Sequence, residues 1–200
     1  MKYLLSLLVL LFIEGCGIIL INENDYRSVS DLEKSLIRPF NQAIVTAKVN
    51  NGDSLFVYEF NNGNIKTVTR KFNYTWIHLW RPFCHADACQ NIKYFADLAD
   101  TYSSKGLVLL LVSETYDFNE IKNVMNHSVY NKPVFVLQSD YYGYKIRKNR
   151  IKFISELNPD LIASKQIWLD DFLFKDTTLI FAGTKLDKIK IDSLLGIVAQ

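Results

Sequence analysis

The sequence has few cysteines and little net charge, and both shortages exclude classes of protein. Three cysteines occur among 200 residues, namely Cys16, Cys84 and Cys89. They are too few to hold together a small fold built on disulfides, and they lack the paired spacing of a zinc site. The net charge is +2, and the lysines and arginines are scattered along the chain. This distribution argues against a nucleic-acid-binding protein.

What the chain does contain fits one globular domain with a hydrophobic core. Apolar residues make up 49% and charged residues 22% of the sequence, which is ordinary for such a domain. The length suits one domain plus a tether. The sequence shows no internal repeat and no low-complexity segment.

The first part of the chain predicts export and attachment to a membrane. A short basic start is followed by an apolar run at 3–13 and then by Cys16. With Ile13 three residues before the cysteine and Gly15 directly before it, the segment resembles a bacterial lipoprotein signal. The resemblance implies that Cys16 is lipidated and becomes the mature N-terminus.

Two alternatives stay open for residues 1–21. Apolar residues resume at 17–21, so residues 3–21 nearly span a bilayer as an uncleaved anchor, with Glu14 as a costly charge inside it. A cleaved secretory signal is the other alternative. We favour lipidation, although Glu14 is atypical there too. Every interpretation predicts an extracytoplasmic domain, and the first two anchor it in the bacterial cell envelope, where disulfides persist.

Downstream of a polar tether at 22–41, residues 42–200 predict one α/β domain. Apolar runs predict buried strands, and apolar residues at three- and four-residue steps predict helices between them. The expected strands are 76–80, 107–112, 133–137 and 177–181, and the expected helices are 86–102, one ending at 126, and 191–199. This alternation implies a central sheet covered on both faces.

Other segments predict an N-terminal β-hairpin and several short elements. Strand patterns at 54–60 and 65–72 flank the turn sequence at 61–64, which is a hairpin signal. The remaining expected elements are short helices at 31–36 and 153–157, strands at 43–49 and 186–189, a polar excursion at 141–152, and a helix at 159–174.

The two cysteines in the body of the chain stand where a strand passes into a helix. The strand at 76–80 leads through Pro82 to a helix start near Cys84. Unpaired N–H groups and the positive end of the helix dipole gather at such a start and stabilise a thiolate. Arg81 and His85 supply further positive charge, so Cys84 is the predicted nucleophile.

This arrangement resembles the thioredoxin-like superfamily, in particular its membrane-tethered redoxin branch, over residues 43–200. The resemblance is carried by the strand that ends in Trp80 and leads to Cys84, by the βαβ pattern that follows, and by the segment 176–183. It implies a thioredoxin-like fold, with a central mixed β-sheet flanked by helices. It also implies thiol–disulfide exchange with protein thiols, in which Cys89 resolves the mixed disulfide formed at Cys84.

The sequence departs from the family pattern at two points. The family's redox pair is C-x-x-C, whereas four residues separate Cys84 from Cys89. Asp176, followed by Thr177, stands where the family has a cis-proline beside its cysteines. On this resemblance, the residues expected to line or support the substrate groove are Trp80, Arg81, Pro82, His85, Asp176 and Thr177.

The wide cysteine spacing is similar to that of the peroxiredoxin Q subgroup, whose peroxidatic and resolving cysteines lie on one helix. Pro82 is kept, but Arg81 stands where that subgroup has a threonine. In a regular helix, the Cα atoms of residues five apart are about 8–9 Å apart, beyond the roughly 7 Å that a disulfide spans. For Cys84 and Cys89 to bond, either Cys84 lies before the first helical turn or that turn unwinds on oxidation. We therefore predict a redox event that is coupled to a local structural change.

Three functions stay open. The favoured one is a membrane-tethered thiol–disulfide oxidoreductase. The alternatives are a peroxiredoxin-like thiol peroxidase, with Cys84 peroxidatic and Cys89 resolving, and a thioredoxin-fold binding module without catalysis. The implied partners are protein thiols and disulfides or peroxide, together with a membrane. Nucleic acid, metals and organic cofactors are not implied, and nothing indicates a substrate, an electron donor or an oligomeric state.

Two further features are expected to be structural. His78, inside the strand at 76–80, is expected to be packed or to lie on a solvent face. The basic run at 145–152, with its neighbouring tyrosines, is expected to be a solvated face, with contact to anionic lipid as the alternative.

Overall fold

The computed structural model describes residues 23–49, 55–84, 92–128 and 130–197. Within these ranges, seven strands form one mixed sheet in the order β1–β2–β5–β4–β3–β6–β7. The strands are β1 (Ile37–Arg38), β2 (Val57–Phe60), β3 (Tyr74–Trp80), β4 (Leu107–Ser113), β5 (Val134–Leu137), β6 (Asp171–Lys175) and β7 (Thr178–Gly183).

Helices connect most of these strands. They are α1 (Asp31–Lys34), α2 (Asn62–Thr69), α3 (Ile92–Thr101), α4 (Phe118–Ser128), α5 (Ser139–Tyr142), α6 (Ile146–Leu157), α7 (Pro159–Ala163) and α8 (Lys188–Leu194), with short 3-10 helices at Tyr26–Ser28, Gln42–Thr46 and Ser103–Lys105. Of the helices in the described ranges, none has the length and apolar character needed to cross a membrane.

The sheet is parallel at its centre and antiparallel at one side. The strands β1, β2, β5, β4 and β3 run parallel, and β6 and β7 follow as an antiparallel hairpin beside β3. The two longest strands, β3 and β4, are almost wholly buried, as their continuous apolar runs predict for a sheet covered on both faces. The predicted α/β class and mixed sheet with flanking helices are confirmed.

Alternate side chains of β3 point into two different layers of the core. Ile77 and Leu79 pack on one face, beneath α2 and α6. Trp76 and Trp80 pack on the opposite face, which α3 and α4 cover. The period of two in a strand produces this division, so neighbouring residues of β3 serve different helices.

The predicted N-terminal β-hairpin is wrong, because residues 62–69 form the helix α2 rather than a turn and a strand. Asn61 and Asn64 close its first turn reciprocally. The Asn64 side chain accepts the Asn61 N–H at 2.8 Å, and the Asn61 side chain accepts the Asn64 N–H at 3.3 Å. Ile65 and Val68, three residues apart, are then buried on the sheet. The cap and this burial override the strand preference of the β-branched residues.

Four other element predictions are also wrong. The expected helix at 159–174 ends at Ala163, Lys165 adopts a positive φ of 60°, and residues 171–175 pair with β3 as a strand. The helical spacing of apolar residues in that segment is coincidental. The other corrections are a 3-10 helix in place of the strand at 43–49, helices α5 and α6 in place of the excursion at 141–152, and a loop leading into α8 in place of the strand at 186–189.

The segment predicted to be a tether is part of the fold from residue 23 onward. Asn24 is buried, and its side chain donates to Ser139 Oγ at 3.0 Å. Its carbonyl oxygen accepts the Tyr116 N–H at 2.7 Å. Val29 is buried, and β1 then extends the sheet. The chain is therefore fixed to the sheet well before residue 42.

Candidate functional site

Cys84 lies just beyond the carboxyl end of β3, at the edge where the parallel strands of the sheet end. Its N–H donates to the Arg81 carbonyl at 3.0 Å, which closes a turn over Pro82. Cys84 is half-buried and disulfide-bonded. The chain's other cysteines, Cys16 and Cys89, lie outside the described residues, as does His85. Their predicted roles in lipidation, resolution and thiolate stabilisation stay predictions.

The residues directly before Cys84 divide into buried and accessible ones. Trp80 is buried among apolar side chains of α3 and α4, and Pro82 is buried as well. Arg81 points to the charged end of the sheet with its side chain 28% exposed. Arg81, Phe83 and Cys84 are therefore the partly exposed residues of this turn.

Asp176 and Thr177 do not lie near Cys84, so their prediction as groove residues is wrong. They form the turn between β6 and β7, where the Asp176 N–H donates to the Asn73 carbonyl at 2.8 Å. Asn73 precedes β3, whereas Cys84 follows it, so the length of that strand, about 20 Å, separates the two positions. The prediction relied on the family's cis-proline position, whereas here the pairing of β6 with β3 carries the β6–β7 turn to the opposite end of β3 from Cys84.

The segment that does approach the Cys84 end of β3 is the one directly before β6. The Leu79 N–H donates to the Asp170 carbonyl at 2.7 Å. This hydrogen bond holds the segment against the last residues of β3. Trp168, two residues earlier, is 54% exposed. No cis peptide bond occurs in the described ranges. The segment directly before β6, rather than Asp176, therefore lies at the end of β3 that leads to Cys84.

Four charged side chains meet at this edge of the sheet, and we call Arg81, Glu114, Arg150 and Asp170 the arginine cluster. Arg150 of α6 is 1% exposed and binds Glu114 through two parallel contacts, Nε to Oε1 at 2.8 Å and Nη2 to Oε2. Its Nη1 donates to Asp170 Oδ1 at 2.8 Å. Arg81 contacts Glu114 and Asp170, each at 3.5 Å. Two cations thus balance two carboxylates.

The cluster is held rigidly at Arg150 and loosely at Arg81. Burial alone lowers the pKa of Arg150, but the charges and hydrogen bonds of Glu114 and Asp170 outweigh it and raise the pKa. A paired guanidinium and carboxylate of this bidentate kind have a fixed geometry. Arg81, three residues before Cys84, has longer contacts and a partly exposed side chain, so its guanidinium is the less tightly held of the two.

A second buried polar group lies under the same strand end. Asp171 of β6 is 1% exposed, and its Oδ1 lies 2.7 Å from His78 Nδ1 and accepts the Trp76 indole N–H at 2.7 Å. Its Oδ2 accepts the Leu186 N–H at 2.9 Å. The His78 ring stacks on Phe95 with centroids 4.0 Å apart. Of the two placements expected for His78, packed or on a solvent face, the structure shows the packed one.

Glu59, near the end of β2, makes this edge of the sheet sensitive to pH. Burial raises the pKa of its carboxyl, and the negative charge of Asp140 adds to the effect. Hydrogen bonds from Tyr116 and Gln138 oppose it. Because the folded pKa exceeds the unfolded one, the stability from this group is complete below the unfolded pKa, about 4.3. It is lost as the pH rises through the folded pKa.

Glu59→Gln is accordingly expected to change how stability depends on pH. The difference in Tm between the variant and the wild-type protein should increase in favour of the variant from pH 4 to pH 8, because glutamine cannot ionise. Thermal unfolding followed by circular dichroism measures it. Glu33→Gln is the matched control with the opposite sign, because hydrogen bonds from Ser30 lower the pKa of Glu33. A Glu59→Gln difference independent of pH would contradict the expectation.

Sequence patterns could not have identified Glu114, Arg150 and Asp170 as site residues. Glu114 directly follows β4, Arg150 lies within α6, and Asp170 directly precedes β6. None of the three stands at a sequence distance from Cys84 that forms a known motif. In the described ranges, no three His, Cys, Asp or Glu side chains gather to hold a metal ion.

Comparison with known proteins identifies no family for this chain. No family model matches the sequence, and no curated protein matches it either.

Proposed function

We propose that the protein is a membrane-tethered, extracytoplasmic thiol–disulfide oxidoreductase that uses Cys84 together with Cys89. The observation that carries the proposal is Cys84 itself, which is disulfide-bonded and half-buried at the carboxyl edge of the parallel strands. A partly exposed cysteine at such an edge suits reversible exchange, because the thiolate is the reacting form and must reach its partner. The thioredoxin-like resemblance of the sequence points to the same chemistry.

In the reducing direction, the Cys84 thiolate attacks one sulfur of a substrate disulfide. The substrate S–S bond breaks, and its second sulfur leaves as a thiolate that takes a proton from water. Cys89 then loses its proton, and its thiolate attacks the Cys84 sulfur and displaces the remaining substrate sulfur as a thiolate. Two electrons pass from the cysteine pair to the substrate, and the Cys84–Cys89 disulfide remains. The reverse sequence oxidises a substrate dithiol.

We infer that Arg81, three residues before Cys84 in the same turn, stabilises the Cys84 thiolate. Its guanidinium is partly exposed, and its contacts to Glu114 and Asp170 are 3.5 Å long. A nearby cation lowers the pKa of a thiol, so more of the nucleophile is present at neutral pH. Arg150, which holds the two carboxylates, is a positioning residue that keeps Arg81 at this edge.

Trp168 offers a contact surface for a polypeptide substrate at the same edge. Its ring is exposed, and the Arg150 guanidinium lies 5.7 Å from the ring centre. Exposed aromatic side chains are common anchors at protein interfaces. We infer that an unfolded or flexible substrate segment packs against Trp168 while its sulfur reaches Cys84.

A redox titration of the full-length protein in detergent tests this function. Equilibration in glutathione buffers, thiol trapping and mass spectrometry should give a Cys84–Cys89 potential of about −120 to −270 mV, the range of catalytic dithiols. Cys84→Ser should abolish exchange with a model protein disulfide, whereas Cys16→Ser should leave it unchanged.

Two outcomes would overturn the proposal. A potential below about −300 mV would indicate a structural disulfide and hence a binding module. Rapid formation of sulfenic acid at Cys84 with hydrogen peroxide, together with slow disulfide exchange, would indicate a peroxidase.

A further inference from the structure

Folding gathers cations that are scattered in the sequence. The helices α2 and α6 lie side by side over one face of the sheet, with Ile65, Val68, Phe153 and Ile154 buried beneath them. Six exposed cations lie on these helices or directly after α2, namely Lys66, Arg70, Lys71, Arg147, Lys148 and Lys152. We call this surface the α2–α6 face.

Carboxylates on the α2–α6 face do not neutralise these cations. None of the six forms an ion pair with a carboxylate in the described part of the chain. The one acidic residue of the two helices, Glu156, accepts hydrogen bonds from the hydroxyls of Tyr141 and Tyr142 at 2.9 and 3.2 Å. Asp160 follows in α7. The face therefore has a positive excess.

On the opposite side of the sheet, carboxylates pair with some of the lysines. Lys93 binds Asp97 within α3 at 2.6 Å. Lys132 reaches Asp100 at the same distance. The α2–α6 face differs in that none of its six cations has a carboxylate partner of this kind in the described part of the chain.

The N-terminal segment enters the domain beside this face. Glu23 forms a β-bridge with Lys145, and its carboxylate accepts from Lys145 Nζ at 2.5 Å. Lys145 directly precedes α6. The apolar stretch at 3–21 therefore joins the domain at the first turn of a helix whose outer surface carries Arg147 and Lys148.

We propose that the α2–α6 face docks onto the anionic headgroups of the membrane that holds the N-terminal segment. The inference rests on the anchoring part of the proposed function and is independent of the cysteine chemistry. Each lysine or arginine near an anionic lipid surface strengthens binding about fivefold. Six such residues, next to the point where the anchor enters, hold the domain in one orientation, with the Cys84 edge kept at a constant position relative to the bilayer.

Lysine footprinting of the full-length protein in vesicles tests this docking. The protein is reconstituted in phosphatidylcholine, or in phosphatidylcholine with phosphatidylglycerol, and treated with an amine-reactive reagent before mass spectrometry. At low salt, labelling of Lys66, Lys71, Lys148 and Lys152 should slow about fivefold in the anionic vesicles only. High salt should restore labelling, because exposed charges are then screened. Lys105 and Lys122, exposed on other surfaces, are internal controls.

A charge-reversal variant separates docking from general adsorption. Replacing Lys66, Lys71, Arg147 and Lys148 with glutamate should remove the effect of lipid charge on labelling of Lys152, whereas Lys105→Glu with Lys122→Glu should preserve it. Circular dichroism confirms that both variants are folded.

Three results would overturn the proposal. One is equal labelling of the four lysines in both lipids, and another is equal protection of Lys105 and Lys122. The third is protection by a soluble acidic polymer without any effect of lipid, which would point to an acidic macromolecule. Cys84→Ser should leave the footprint unchanged, so failure of the redox proposal is distinguishable from failure of this one.

Discussion

Replacing Arg150 with methionine is expected to lower the free energy of unfolding by about 3–5 kcal/mol. The substitution removes the bidentate partner of Glu114, which is itself almost fully buried, and leaves that carboxylate with only the 3.5 Å contact to Arg81. An unpaired charge in the protein interior is far more costly than the loss of a surface ion pair. Equilibrium urea denaturation, followed by tryptophan fluorescence, measures the change.

Two variants establish that the loss comes from the unpaired carboxylate. The double variant Arg150→Met with Glu114→Leu should recover much of the stability, because an apolar pair of similar volume carries no buried charge. Arg147→Met, on the exposed side of the same helix, should change stability by less than about 0.5 kcal/mol. A loss for Arg150→Met no larger than that of Arg147→Met would contradict the expectation.

Replacing Asp171 with alanine is expected to lower the free energy of unfolding by about 3 kcal/mol or more, because each buried donor left unsatisfied costs about 1–3 kcal/mol. The change removes the acceptor of the Trp76 indole, of His78 Nδ1 and of the Leu186 N–H at once. Asp171→Asn should lower the free energy of unfolding by less, since the asparagine side-chain oxygen still accepts a hydrogen bond. The same urea titration measures both variants.

Asp176→Asn is the matched control for Asp171. Asp176 lies in an exposed turn with a φ of 49°, a conformation that asparagine adopts readily. The Asp176→Asn variant should have an unchanged free energy of unfolding. The redox potential of Cys84 should also be unchanged, because this turn lies at the opposite end of β3. A changed potential would contradict the placement of the site at the carboxyl edge. Equal losses for Asp171→Ala and Asp176→Asn would contradict the proposed role of Asp171.

Much of the central fold could be predicted from local patterns. The runs that form β3, β4 and β5 and the spacing within α3 and α4 report burial directly, because a strand or helix must turn its apolar side to the core. The position of Cys84 after β3 also follows from its neighbours in sequence. These features need no knowledge of which segments meet in space.

Other features could not be predicted because they depend on pairing between distant segments. The segment 159–174 has apolar residues at helical spacing, but residues 171–175 become β6 because the edge of β3 offers them a ladder of hydrogen bonds. The same pairing places Asp170 and Asp171 near the end of β3 that leads to Cys84, and it places Asp176 near the opposite end of β3. Residues 62–69 become α2 because Asn61 and Asn64 cap them and the sheet accepts their apolar side.

The sequence by itself therefore determined the α/β class, the buried strands of the centre and the place of Cys84 at a strand end. Only the tertiary structure decided which charges stand together there, since Arg81, Glu114, Arg150 and Asp170 come from four separate stretches of the chain. It also decided that scattered cations share the α2–α6 face. The physical reason is that burial is recorded in short-range periodicity, whereas a charge acts on whatever the fold brings within a few ångströms of it.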